Sequence, residues 1–158
     1  MKKNVNLRIT STQYSENLRP SGEAFVRELE KEDSLEILTE GTMYQKNDAR
    51  YISYEESEEA GLEDTRTLVK LSDGKIRIRR YGHSDDDEGM DMTLEPGILN
   101  ITRYQMPMMT SVDLEIYTNK LEDNLDEEGY GTVSVDYKIK FDKFFSRRNI
   151  LEIEVMPS

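Results

Sequence analysis

The chain has 158 residues and a formal net charge of −12, with hydrophobic residues at 35%, charged residues at 34% and no cysteine. That length suits one domain with a single core, and the thin apolar share suits antiparallel sheet with one wet face better than a parallel sheet covered on both sides. The acidic balance argues against nucleic acid and anionic membrane as partners, zero cysteine excludes disulfides and thiolate metal sites, and no run reaches the ~18 apolar residues of a membrane span.

The N-terminal segment has two lysines with no apolar stretch behind them, so no signal peptide is expected and the expected address is the cytoplasm. Val5, Leu7 and Ile9 alternate with Asn6, Arg8 and Thr10, a repeat of two that defines a first strand. Residues 13–34 break the pattern. Asn17, Pro20, Ser21 and Gly22 are loop formers, and Phe25 and Leu29 at helical spacing leave the segment as either a short helix or the flared end of a hairpin. Alternation resumes through Leu35, Ile37, Thr39, Gly41 and Met43, and Lys46–Asn47–Asp48 turns the chain into a strand around Tyr51 and Tyr54. Thr67, Val69 and Leu71 lead through Ser72–Asp73–Gly74 to Ile76 and Ile78, a hairpin with a glycine turn. After a polar loop from His83 to Gly89, Met90, Met92 and Leu94 form a short strand, Pro96–Gly97 a turn, and residues 98–106 another strand.

The C-terminal third carries the clearest signal. Val112, Leu114 and Ile116 alternate with Asp113, Glu115 and Tyr117. A turn with two glycines follows, and then Val133, Val135, Tyr137, Ile139 and Phe141 share one face opposite Thr132, Ser134, Asp136, Lys138 and Lys140. No helical spacing fits, because positions i+3 and i+4 mix valine with aspartate and lysine. A last strand ends in Leu151, Ile153 and Val155. Short strands at regular spacing, short connections and long edges that need covering predict an all-β fold: one antiparallel up-and-down barrel of about 8–10 strands spanning the chain.

An ordered series of residues resembles the YwiB-like family of small bacterial proteins, a domain of unknown function with a calycin-like β-barrel. The series begins with Thr39, Gly41, Tyr44, Tyr51, Ile52 and Tyr54. Lys70, Gly74, Ile76, Ile78, Arg80 and Gly82 follow, then Tyr104 and Pro107. Residues 125–129, Tyr137, Asn149, Leu151 and Ile153 complete it. Met106–Pro107–Met108–Met109 stands where the family usually has a glycine. The resemblance implies a barrel of lipocalin-like shape and brings no reaction, ligand or catalytic residue. The Gly–x–Trp of true lipocalins is missing, since the chain has no tryptophan.

His83, the only histidine, leaves no Ser–His–Asp triad or multi-histidine metal site to build, and it reads as a solvated turn residue. The acidic cluster at residues 85–88 lacks EF-hand spacing. No catalytic residue, metal ligand or cofactor is assigned. In an up-and-down meander the connections after strands one, three and five share one end. Residues 13–34, 55–64 and 82–88 together carry thirteen net negative charges, which predicts an acidic rim able to steer a basic protein partner.

Arg80 continues the inward register of Ile76 and Ile78. A buried guanidinium cannot shed its charge and needs a partner, either an internal acid or a ligand carboxylate held in its fork. Asn149 shares the register of Leu151 and Ile153, and Arg103 that of Leu99 and Ile101. Tyr54 and Tyr104 are amphipathic wall candidates. Met90 and Met92 belong to a group of five methionines, out of eight, between Met90 and Met109, a deformable apolar lining. Two functions are compatible with this pattern. One is a binding module holding a small apolar or amphipathic molecule in the barrel, with Arg80 as anchor. The other is a protein-interaction domain using the acidic rim. An enzyme is a distant third.

Overall fold

The computed structural model describes residues 2–55, 65–82, 91–104, 112–140 and 146–158, except for the side chains of residues 16–19, 21, 25–30, 32, 65, 82, 102–104 and 112. Ten strands follow in order: β1 Lys3–Ser21, β2 Ala24–Lys46, β3 Ala49–Glu55, β4 Thr65–Ser72 and β5 Lys75–Gly82, then β6 Asp91–Leu94, β7 Leu99–Tyr104, β8 Val112–Leu125, β9 Gly131–Lys140 and β10 Ser146–Pro157. All pairings are antiparallel and run in the order β6-β5-β4-β3-β2-β1-β10-β9-β8-β7.

The last strand therefore returns to the first, and the ribbon curls into a nearly closed barrel. Its break falls between two strands that are neighbours in sequence. Strands β6 and β7 are joined by a turn in which the Ile98 N–H donates to the Glu95 carbonyl at 3.0 Å, with Gly97 at φ 78°. Proline before a positive-φ glycine is the type II pattern. The Gly97 N–H then donates to the Thr118 carbonyl of β8 at 2.9 Å, and the Asn100 side-chain amide spans the gap to the Thr93 carbonyl at 3.0 Å.

Residues 13–34 contain no helix. Strands β1 and β2 run on as a two-stranded ribbon, with Leu29 paired to Glu16 and Phe25 to Pro20, and Gly22 at φ 65° in the turn between Ser21 and Ala24. The helical spacing of Phe25 and Leu29 loses to a ladder already in register over Lys3↔Met43 to Gln13↔Asp33, because extending a ladder adds backbone bonds without a new nucleus. Glu32 is an extra residue in that ladder, and Asn119 is another in β8.

The second bulge settles a parity problem. Leu114 and Ile116 are on even numbers, whereas Leu121 and Leu125 are on odd ones, and a strict repeat of two would send one pair outside. With Asn119 bulged, Thr118 pairs with Tyr137 and Leu121 with Val135, and both sets face the core. That core is one cluster, in which Leu7, Ile52, Ile76, Leu94, Ile116 and Ile153 are no more than 2% exposed. Each such side chain contributes ~1.5–3 kcal/mol of burial.

Candidate functional site

The interior divides in two along its length. One part is apolar and filled with side chains, among them Leu7, Met43, Ile52, Leu71, Ile76 and Leu94. The other part sets polar groups beside Ile116 and Ile139, and the ladder registers explain why. Tyr54 of β3 pairs with Thr67 of β4, which pairs with Arg80 of β5, so three neighbouring strands present a phenol, a hydroxyl and a guanidinium on one face. A second row runs through Gln13, Asn149, Tyr137 and Thr118 on β1, β10, β9 and β8.

Tyr54, Thr67, Thr118, Tyr137 and Asn149 are all buried, and Arg80 is half-buried with its Nε shielded from water. The two rows meet electrostatically. Burial pushes the Tyr137 phenol above its ordinary value of 10, and the Arg80 charge pulls it the other way. The Thr118 hydroxyl has no hydrogen-bond partner among the described residues. Arg147 pairs with Ile139 and continues the alternation of Asn149, Leu151 and Ile153, placing a second guanidinium at this end with its Nε buried. The group can hold a negative charge and donate or accept several hydrogen bonds.

Of the residues singled out from sequence, Arg80, Tyr54 and Asn149 come together here. Met92 is 3% exposed and packs in the core cluster, paired with Ile78. Met90 lies outside the described residues. Arg103 pairs with the exposed Asp113 and Tyr104 with Val112, and their side chains are not described. The inward register assigned to Leu99 and Ile101 is reversed: they are 54% and 66% exposed. Strand β7 takes its parity from β8, where the buried Ile116 faces Asn100 and leaves Leu99 opposite the exposed Tyr117. Thr67, Thr118, Tyr137 and Arg147 were missed as site residues, although the two-residue repeat that pointed to Arg80 reaches Arg147 from Ile153 by the same count.

Of the expected acidic rim, residues 56–64 and 83–90 lie outside the described residues, His83 among them. The acidic turn at residues 126–128 is at the other end of the barrel and is a structural element. The Asp126 carboxylate accepts from the N–H groups of Glu128 and Tyr130, both at 2.9 Å, and its carbonyl accepts from Arg50 Nη2 at 2.7 Å. The bond from Tyr130 is the main cause that holds the Asp126 carboxyl below the ordinary range. Among the described residues no group of three or more histidine, aspartate or glutamate side chains is placed to hold a metal ion.

A family model described as Domain of unknown function (DUF1934) matches residues 23–153. The uncharacterized beta-barrel protein YwiB of Bacillus subtilis (strain 168) is 29% identical over 106 residues, which is 67% of this chain and 69% of that relative. The crystal structure of the ywiB protein from Bacillus subtilis superposes with a TM-score of 0.63 at 20% identity, covering 97% of this chain and 92% of that one. That likeness shows a shared β-barrel fold.

Proposed function

We propose that this chain, which belongs to the DUF1934 family, is a small-molecule binding module whose ligand is a short amphipathic anion. The ligand's charged head rests on Arg80, and its apolar part lies against Tyr54 and Tyr137. The observation that carries this reading is the gathering of Tyr54, Thr67, Arg80, Thr118, Tyr137 and Asn149 on the inner face, at one end of an otherwise apolar interior. A phenol, hydroxyls and a guanidinium side by side can offer an anion both charge and hydrogen bonds. Side chains fill the apolar part, which restricts the ligand to the polar end and to a short chain.

Octanoate is the probe. Titrated at millimolar concentration, it is expected to shift the ring resonances of Tyr54 and Tyr137 and the side-chain amide of Asn149. Arg80→Met keeps the length of the stem and removes the charge, and is expected to weaken the response at least tenfold. An unchanged spectrum for the wild type, or equal binding by Arg80→Met, overturns the proposal.

A further inference from the structure

The net charge of −12 conceals a basic face. Strands β4 and β5 carry Arg66, Lys70, Lys75, Arg77, Arg79 and Arg80 and not one acid, and the hairpin's single carboxylate is Asp73 in its turn. Arg80 is in the inner row. The other five occupy the outer register, where Lys70 pairs with Arg77 and Leu68 with Arg79. A cleft of about 570 Å³ opens on this face, lined by Lys70, Lys75, Arg77, Asp91 and Asn100 among others.

We infer that this outer face of β4 and β5 is a docking surface for an acidic polypeptide segment in extended conformation. The face already holds one carboxylate in the required way. Asp91 accepts from Arg77 Nε at 3.0 Å and from its Nη2 at 2.7 Å, with Arg79 Nε 3.6 Å away. The spacing fits an extended peptide. Lys75, Arg77 and Arg79 stand two residues apart along β5, a step of about 6.8 Å, which is also the step between alternate side chains of an extended partner. Glutamates at every second position would therefore meet successive cations.

Single-stranded nucleic acid fits less well, because it draws much of its affinity from bases stacked on open ring faces. Here Tyr44 and Tyr51 stack on each other at 4.7 Å, with Lys2 over the first ring and Lys70 over the second. Arg79 lies over Tyr81. These contacts hold the cations in place and occupy the ring faces of the Tyr44–Tyr51 pair and one face of Tyr81.

The test uses the full chain and fluorescence polarisation of two labelled twelve-residue peptides of equal composition, one alternating glutamate and serine, the other with six glutamates followed by six serines. The alternating peptide is expected to bind at least threefold more tightly, and to weaken as sodium chloride rises from about 50 to 300 mM. Lys70→Gln with Lys75→Gln is expected to cost about fivefold, and the double glutamate variant about tenfold or more, whereas Lys120→Gln on β8 changes nothing. Equal binding of the two peptides, no binding at low salt, or loss with Lys120→Gln overturns the inference. Tighter binding of a twelve-residue homouridine overturns it in favour of nucleic acid. Concentration-dependent self-association abolished by the double glutamine variant overturns it in favour of a second copy of the chain.

Discussion

Gly41 gives the sharpest test of how the barrel is closed. It pairs with Val5 on one side and Tyr54 on the other, at the point where β2, paired until then with β1 alone, gains β3 as a second neighbour. A Cβ built there stands 2.7 Å from Leu7 Cδ1 and 2.7 Å from the Ser53 carbonyl oxygen, against the ~3.5–4.0 Å at which non-bonded carbon atoms rest. The methyl group of Leu7 can give way only within a packed core, where Leu7 is 1% exposed. The carbonyl is fixed more firmly, since Ser53 lies in the middle of a ladder between Thr42 and Leu68. Gly41→Ala therefore overpacks a wall with nowhere to expand, at a cost of about 1–3 kcal/mol. At roughly 2–4 °C per kcal/mol for a domain of this size, a central cost of 2 kcal/mol lowers Tm by about 4–8 °C. Thermal melting followed by far-ultraviolet circular dichroism reads it, with urea unfolding to convert the shift into free energy. The Leu7→Ala background separates the two contacts, because the carbonyl clash persists there. A Tm change below about 1 °C for Gly41→Ala, or no effect of Gly41→Ala in the Leu7→Ala background, would show that the Ser53 carbonyl is not a fixed wall.

Two further outcomes are expected from side chains whose surroundings are defined. Thr118→Val removes a fully buried hydroxyl with no partner among the described residues, and is expected to stabilise the protein by ~1 kcal/mol, raising Tm by about 2–4 °C; a fall in Tm would show that the hydroxyl is bonded. Asp136 accepts from Arg148 through both carboxylate oxygens, the bond from Nε being 2.8 Å. Arg148 is the main cause of a pKa below the ordinary carboxylate value, against the opposing effect of burial. With the pair partly open to water, Asp136→Asn is expected to cost about 1 kcal/mol at pH 7. Because the folded pKa is lowered, this contribution is complete above the unfolded value of about 3.9 and disappears as pH falls through the folded one. Urea unfolding at pH 7 and pH 3 should show the wild type's advantage at the first and a smaller one at the second; an undiminished advantage at pH 3 would rule out the carboxylate as its source.

Much of the wall could be read from the chain alone. The alternation of Val133, Val135 and Tyr137, or of Ile76 and Ile78, needs only the two-residue period of an extended backbone, and every one of these side chains is inside. The same period carried Arg80, Tyr54 and Asn149 to the inner face. Local sequence also marked the turns at Asn47–Asp48 and Asp73–Gly74, where φ is positive at both central residues.

What the chain alone left open depended on partners distant in sequence. Residues 13–34 carry loop formers and a weak helical spacing, and only pairing between β1 and β2 makes them strand. Leu99 and Ile101 look like core residues, yet they are outside because a strand's parity belongs to the neighbour it pairs with, here β8. The gap between β6 and β7 and the convergence of Arg80 with Tyr137 have the same origin. Backbone period is a property of consecutive residues, whereas register and closure are relations between strands up to the whole chain apart. The period was therefore legible in the amino acids, and the identity of the inner polar group was decided only when β10 paired with β1.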